Sequence, residues 1–165
     1  MDAVIAIVQL VHIAGGAAWF GGSVFANAVL IPYVARQPPE RQRELIGAVI
    51  LGPERVMIAA ALTAAVSGLV RGIGFGRIQS LDVLGTPYGM VWLASVVVAI
   101  LVFATGGRVT SPAARALRDE DSVWRGGPDE EPSAARLFER MQLGFRLELA
   151  GISIILGLMV ALARL

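Results

Sequence analysis

The sequence predicts an all-α fold, an integral membrane antiparallel four-helix bundle forming one domain over residues 1–165. Three observations carry that prediction. First, 56% of the 165 residues are hydrophobic and only 16% are charged, too little polar surface to clothe a soluble globule of this size. Second, the charges are bunched and leave four apolar stretches, set against the roughly 20 residues that cross a bilayer, which the first of them exceeds. Third, most of the basic residues fall on one side of the topology those stretches define.

The first span is expected over about 3–34, because residues 3–35 hold no Asp, Glu, Arg or Lys. A Pro- and Arg-rich turn at 36–44 leads to the second span, about 55–76, whose apolar run from Val56 is interrupted by Arg71 alone. A short Gly-bearing loop precedes the third span, about 86–107, which is free of charge. The fourth, about 144–164, carries Glu148 near its start, with Arg146 and Arg164 at its ends. Between the last two spans, 108–136 reads as a solvated loop with a short helix at each flank. Segments this long and unbroken can satisfy their own backbone hydrogen bonds in lipid only as helices.

Nine arginines (36, 41, 43, 108, 115, 118, 125, 136 and 140) share the side of the 36–44 and 108–136 loops, against Arg71, Arg77 and Arg164 opposite. Both loops are therefore expected in the cytoplasm and both termini outside, in the inner (plasma) membrane. The N-terminal Met-Asp-Ala lacks a basic region, so no cleaved signal peptide is expected.

Composition also limits the chemistry. With no Cys, disulfides, Fe–S clusters, thiolate zinc, thiol catalysis and covalent haem attachment are excluded. All 14 basic residues are Arg, which excludes Schiff-base lysines and a P-loop. No nucleophile–base motif or metal triad marks the chain as an enzyme. The arginines of the long loop are offset by Asp119, Glu120, Asp121, Asp129, Glu130 and Glu131, so no nucleic-acid partner is expected. The expected surroundings are the lipid bilayer, with a homodimer or a partner membrane subunit.

The sharpest local pattern lies in the first span. His12, Gly15, Gly16, Trp19, Gly22, Ser23 and Asn27 fall on one helical face, with Gln9 a turn before His12. Small residues allow close approach of a second helix or of a flat ligand. His12 lies about nine residues into the span, roughly 13–14 Å at 1.5 Å per residue, close to the bilayer midplane. An ionisable group at that depth points to function; the alternative is a neutral His bonded to a Ser or Thr on a neighbouring helix. In the second span Thr63, Ser67 and Arg71 recur at i, i+4 and i+8 and are expected to stack, Arg71 snorkelling to water or holding an anionic group such as a propionate or a lipid phosphate. Glu148 is expected to pair with an Arg on another helix, Arg55 or Arg108 for instance.

Three segments, VHIAGGAAWFGG, GTPYGMVWLASVVVAIL and FRLELAGISIILGLMVALA, together resemble the copper-resistance D (CopD-type) membrane domain family. The positions that carry the resemblance are His12, Trp19, Gly21, Gly22, Thr86, Tyr88, Gly89 and Glu148. The four-helix, His-bearing plan also resembles, more distantly, the HemJ-type haem-binding membrane proteins. Where both relatives tend to carry a Lys past the Tyr-Gly pair, this chain has Leu93-Ala94-Ser95.

Three functions follow as expectations. One is a bundle binding haem b in electron transfer or haem handling, with His12 as axial and metal ligand, Gly15 and Gly16 giving the macrocycle room, and Trp19, Ser67 and Arg71 lining the site. A single His then requires a different second ligand, an open position, or a symmetric dimer. The second is copper uptake or resistance, which the CopD-type resemblance implies, with a copper ion on His12. The third is a non-catalytic membrane scaffold in which His12 and Glu148 are structural. Tyr88 and Glu148 remain further candidates.

Overall fold

The computed structural model describes residues 2–125 and 133–165. These residues are helical, without strands, and four helices are long and apolar enough to cross a membrane: Ala3–Ala35, Pro39–Phe75, Pro87–Asp119 and Ala134–Leu162. Each outlasts its apolar run. At 1.5 Å per residue even the fourth measures about 43 Å, against about 30 Å of hydrocarbon.

The helix ends follow from local chemistry. Only Arg36–Pro38 separate the first two helices, and Pro39 takes the first helical position, where its missing N–H costs nothing. The second helix is interrupted at Gly52-Pro53, where proline removes a ladder hydrogen bond. Its last carbonyls are capped by Gln79, whose Nε2 donates to Ile73 O at 3.0 Å and Gly76 O at 2.7 Å. Thr86 caps the third helix: its hydroxyl accepts from Gly89 N at 3.2 Å and donates to Val83 O at 2.6 Å, with Pro87 following. The 108–136 segment, expected as a loop with helical flanks, is helical to Asp119, has a short turn at Ser122–Arg125 and is helical again from Ala134. Residues 126–132 of that segment lie outside the described residues. The first three long helices contain π-helical turns, Ala26–Leu30, Ile46–Leu51, Val70–Phe75 and Gly106–Thr110.

The chain divides into two compact units. One comprises Met1–Gly21, Met57–Leu101 and Ala150–Leu165. Its interior is mostly small residues, with Ala61, Ala64, Ser67 and Ser95 buried beside Trp19 and Ile152, while large side chains such as Leu10, Leu62 and Ile100 face outward. The other unit comprises Gly22–Val56 and Val102–Leu149. Its core is bulkier: Ile31, Val34, Ile46, Ile50, Ala113, Ala114, Leu117 and Met141.

Burial of large aliphatics is driven by water, whereas helices in lipid gain little from it and associate through small residues instead. The charges divide the same way. The second unit holds eleven of the 14 arginines, leaving Arg71, Arg77 and Arg164 to the first. Polar bonds rim the bulky core. Arg115 Nη2 meets both carboxylate oxygens of Glu54 at 2.9 Å, and Ser111 Oγ donates to Glu54 Oε1 at 2.6 Å. Arg43 binds the Arg118 carbonyl at 2.6 Å and the carboxylate of Asp121. That guanidinium holds the Asp121 carboxyl below the usual carboxylate range.

Candidate functional site around His12

In the small-residue unit, the first helix turns His12, Gly15 and Trp19 to its packed face. His12 Nδ1 lies 2.8 Å from the carbonyl oxygen of Ala64 on the second helix. A carbonyl can only accept, so Nδ1 carries the proton, and Nε2 of the neutral ring keeps its lone pair. Ser67 Oγ stands 3.4 Å from the same nitrogen and donates to the Thr63 carbonyl. The neighbouring-helix hydroxyl foreseen for His12 is thus present, but the principal acceptor is main chain. The ring rests on Gly68, where a Cβ would stand 2.9 Å from Cε1 and 3.2 Å from Nδ1.

The two glycines after His12 differ sharply. A Cβ at Gly15 would stand 2.9 Å from Ala64 N and 3.0 Å from Ala60 O, so here the helices meet backbone to backbone. The space expected beside Gly15 for a macrocycle is filled by the second helix. Gly16 has nothing within 4 Å of a Cβ and leaves its side open. As a holder of haem, the site therefore fits in its donor, an imidazole with the correct tautomer and a second-partner carbonyl. In space, Gly15 gives it no room, and of the two glycines Gly16 alone is open. Among the described residues no group of three His, Cys, Asp or Glu is placed to hold a metal ion.

The line predicted on the second helix is divided. Ser67 is buried at the seam, whereas the side chains of Thr63 and Arg71 are exposed. Arg71 borders a shallow groove with Ile5, Ala6 and Gln9. The Tyr88 ring lies 5.1 Å below the Arg77 guanidinium, which donates to Leu165 O at 2.7 Å. Gly89 has no room for a Cβ against Val83 and Leu84. Together with the Thr86 cap, this makes the Thr-x-Tyr-Gly segment a helix start.

In the second unit Glu148 accepts a hydrogen bond from the Thr110 hydroxyl. None of the ion pairs among the described residues involves Glu148, which corrects the expectation of an Arg55 or Arg108 partner. A hydroxyl satisfies the carboxyl without importing a second charge to be desolvated. Gly106 and Gly144 flank the pair, and a Cβ at Gly144 would meet Thr110 Oγ1. Asn27 joins the same unit's helices through Nδ2, which donates to Ser23 O at 2.9 Å and Phe145 O at 3.1 Å.

Some residues of the site escape the sequence reading. The seam of the second helix is Ala60, Ala64, Gly68 and Gly72, each four residues from the last. Gly68 seats His12, and Gly72 seats the Trp92 indole, whose Nε1 occupies the space a Cβ would take. The repeat of small residues at i, i+4 is the signal that finds them. Comparison with family models, curated proteins and solved structures gives no match.

Proposed function

We propose that this chain is an antiparallel four-helix bundle of the inner membrane, both termini extracytoplasmic, that holds haem b on His12 Nε2 for electron transfer or haem handling. One observation carries the reading: the 2.8 Å bond from His12 Nδ1–H to the Ala64 carbonyl. It fixes the tautomer, orients the ring and makes Nε2 the better donor, as the outer partner of a ligating His does. A copper ion needs several protein donors, and this chain has one His and no Cys. A porphyrin brings four nitrogens of its own, so one imidazole suffices. Bound, the group supplies a one-electron couple. His12 would hold it, Ala64 and Gly68 would position His12, and the open side of Gly16 would receive the macrocycle edge. A symmetric pair of chains offers the same imidazole twice. Membrane insertion is supported by the apolar outward faces of Leu10, Ile100 and Val160, and the orientation by the Arg-rich unit.

The test is the absorption spectrum of protein purified in detergent from haem-replete cells. A Soret band in the wild type and none in His12→Ala is the expected result. A colourless wild type overturns the haem reading. Stoichiometric copper that is lost in His12→Ala favours the copper alternative, and neither group leaves a scaffold. For orientation, a tag at the N-terminus is expected to be labelled on intact cells with the outer envelope opened; labelling only after lysis reverses it.

A further inference from the structure

We infer that Gln9 and Arg71 form a seat for a phospholipid head group, one whose phosphate is accompanied by a hydrogen-bond donor such as an ammonium or hydroxyl. The seat is independent of any ligand on His12. Its lining is two apolar residues, Ile5 and Ala6, and two polar ones, Gln9 and Arg71. No acidic residue lines it. Arg71 makes no ion pair or hydrogen bond among the described residues, whereas Arg41, Arg43, Arg115, Arg118 and Arg125 of the other unit are bonded. A guanidinium held at an apolar surface without a counter-charge calls for an anion, and its planar fork suits phosphate oxygens.

Gln9 supplies the second, independent observation. Its Oε1 is the buried side-chain atom among the described residues that has no hydrogen-bond partner. Such an atom costs desolvation free energy until a donor reaches it. An anion alone satisfies Arg71 and leaves Gln9 Oε1 orphaned; a head group with phosphate and donor a few bonds apart satisfies both. Depth agrees with this. Arg71 lies four residues from the end of its helix at Phe75, and Ile5 and Gln9 lie in the first two turns of the helix beginning at Ala3. Both counts place the groove near the lipid head groups. The flanking Ile5 and Ala6 would take the upper acyl chain.

Native mass spectrometry of the purified protein titrated with single lipids tests the seat. Phosphatidylethanolamine and phosphatidylglycerol, which carry phosphate and a donor, are expected to be retained over phosphatidylcholine, whose quaternary ammonium has no N–H to donate. Arg71→Gln is expected to lower retention of all three roughly tenfold or more, the scale of a hydrogen bond to a charged group. Gln9→Leu keeps the size of the side chain and is expected to abolish the preference while leaving phosphatidylcholine unchanged. Unchanged retention in Arg71→Gln overturns the proposal, as does equal binding of the three lipids by the wild type. Displacement of lipid by inorganic phosphate alone also overturns it, since a free anion is then the ligand. The His12→Ala protein is expected to bind lipid as the wild type does. Loss of lipid there overturns independence and assigns the anion to the His12 ligand, whereas a missing Soret band with lipid binding intact touches only the haem reading. Arg71→Lys, which keeps the charge, guards against misfolding and is expected to retain part of the binding.

Discussion

The His12 imidazole donates to the Ala64 carbonyl at 2.8 Å while resting on Gly68, one turn further along the same helix. Acceptor and floor are thus set by a single stretch of backbone. In Gly68→Ala the new Cβ meets Cε1 and the ring must move. A loss of about 1–3 kcal/mol is expected, the usual scale of overpacking. In His12→Ala the floor is empty, and adding Gly68→Ala is expected to cost little more. A double-mutant cycle by unfolding in mixed micelles reads this coupling; additive losses would show that the two residues do not share the contact.

Gly15 and Gly16 separate packing from cofactor space. Gly15→Ala drives a methyl into the backbone of Ala60 and Ala64 and is expected to destabilise by about 1–3 kcal/mol. Gly16→Ala meets nothing and is expected to be neutral or slightly stabilising, as helical Gly→Ala changes are. Gly16→Leu is expected to keep stability and to lower haem occupancy. Thermal unfolding and the Soret-to-protein absorbance ratio check the pair, and a stable Gly16→Leu with full haem places the macrocycle elsewhere.

Thr110 and Glu148 are tested by removing the hydroxyl. Thr110→Val preserves shape but orphans the carboxyl, with an expected loss of about 1–3 kcal/mol. Thr110→Ser restores the donor and is expected to recover most of it. A Thr110→Val protein as stable as the wild type would mean that Glu148 draws its support from elsewhere.

The Arg43–Asp121 bond predicts a pH dependence. Asp121 titrates lower in the folded chain than in the unfolded one. Its contribution is therefore complete above the unfolded carboxylate value and is lost as pH falls through the folded value. Wild type and Arg43→Gln are expected to differ in stability at neutral pH and to converge in acid. A gap that persists unchanged below the carboxylate range assigns the difference to the Arg118 carbonyl bond instead.

Much of this was legible in advance, and for identifiable reasons. The face carrying His12, Gly15 and Trp19 could be read because polar and small residues at helical spacing stand out in an aliphatic segment. Helix ends could not. Hydropathy reports where lipid is tolerated, whereas Pro39, the Thr86 cap and Asp119 report where backbone hydrogen bonding starts and stops. Of the core around Ile46, Leu117 and Met141, Leu117 lay in the segment that composition marks as loop, and Ile46 and Met141 lay between the expected spans and loops, where hydropathy assigns nothing. Glu148 was matched to the wrong partner because charge suggests charge, while a Thr four residues beyond Gly106 carries no such signal. Arg71 and Thr63 kept their helical spacing from Ser67, yet only Ser67 is buried at the seam, and the other two lie along its exposed margin.

The π-helical turn at Gly106–Thr110 places Thr110 against Glu148. An i→i+5 turn holds one residue more than an α-turn, so everything before it is out of phase by about 100° with an uninterrupted helix. Two adjacent glycines at its start make room for that surplus, and Gly107 touches nothing with the space a Cβ would fill. In terms of length rather than contacts, the third helix carries a spare residue. Deleting Gly107 would then heal the ladder into regular α-helix rather than break it, and would turn Thr110 away from Glu148. The insertion that aims Thr110 at Glu148 is thus a matter of residue count as much as of contact.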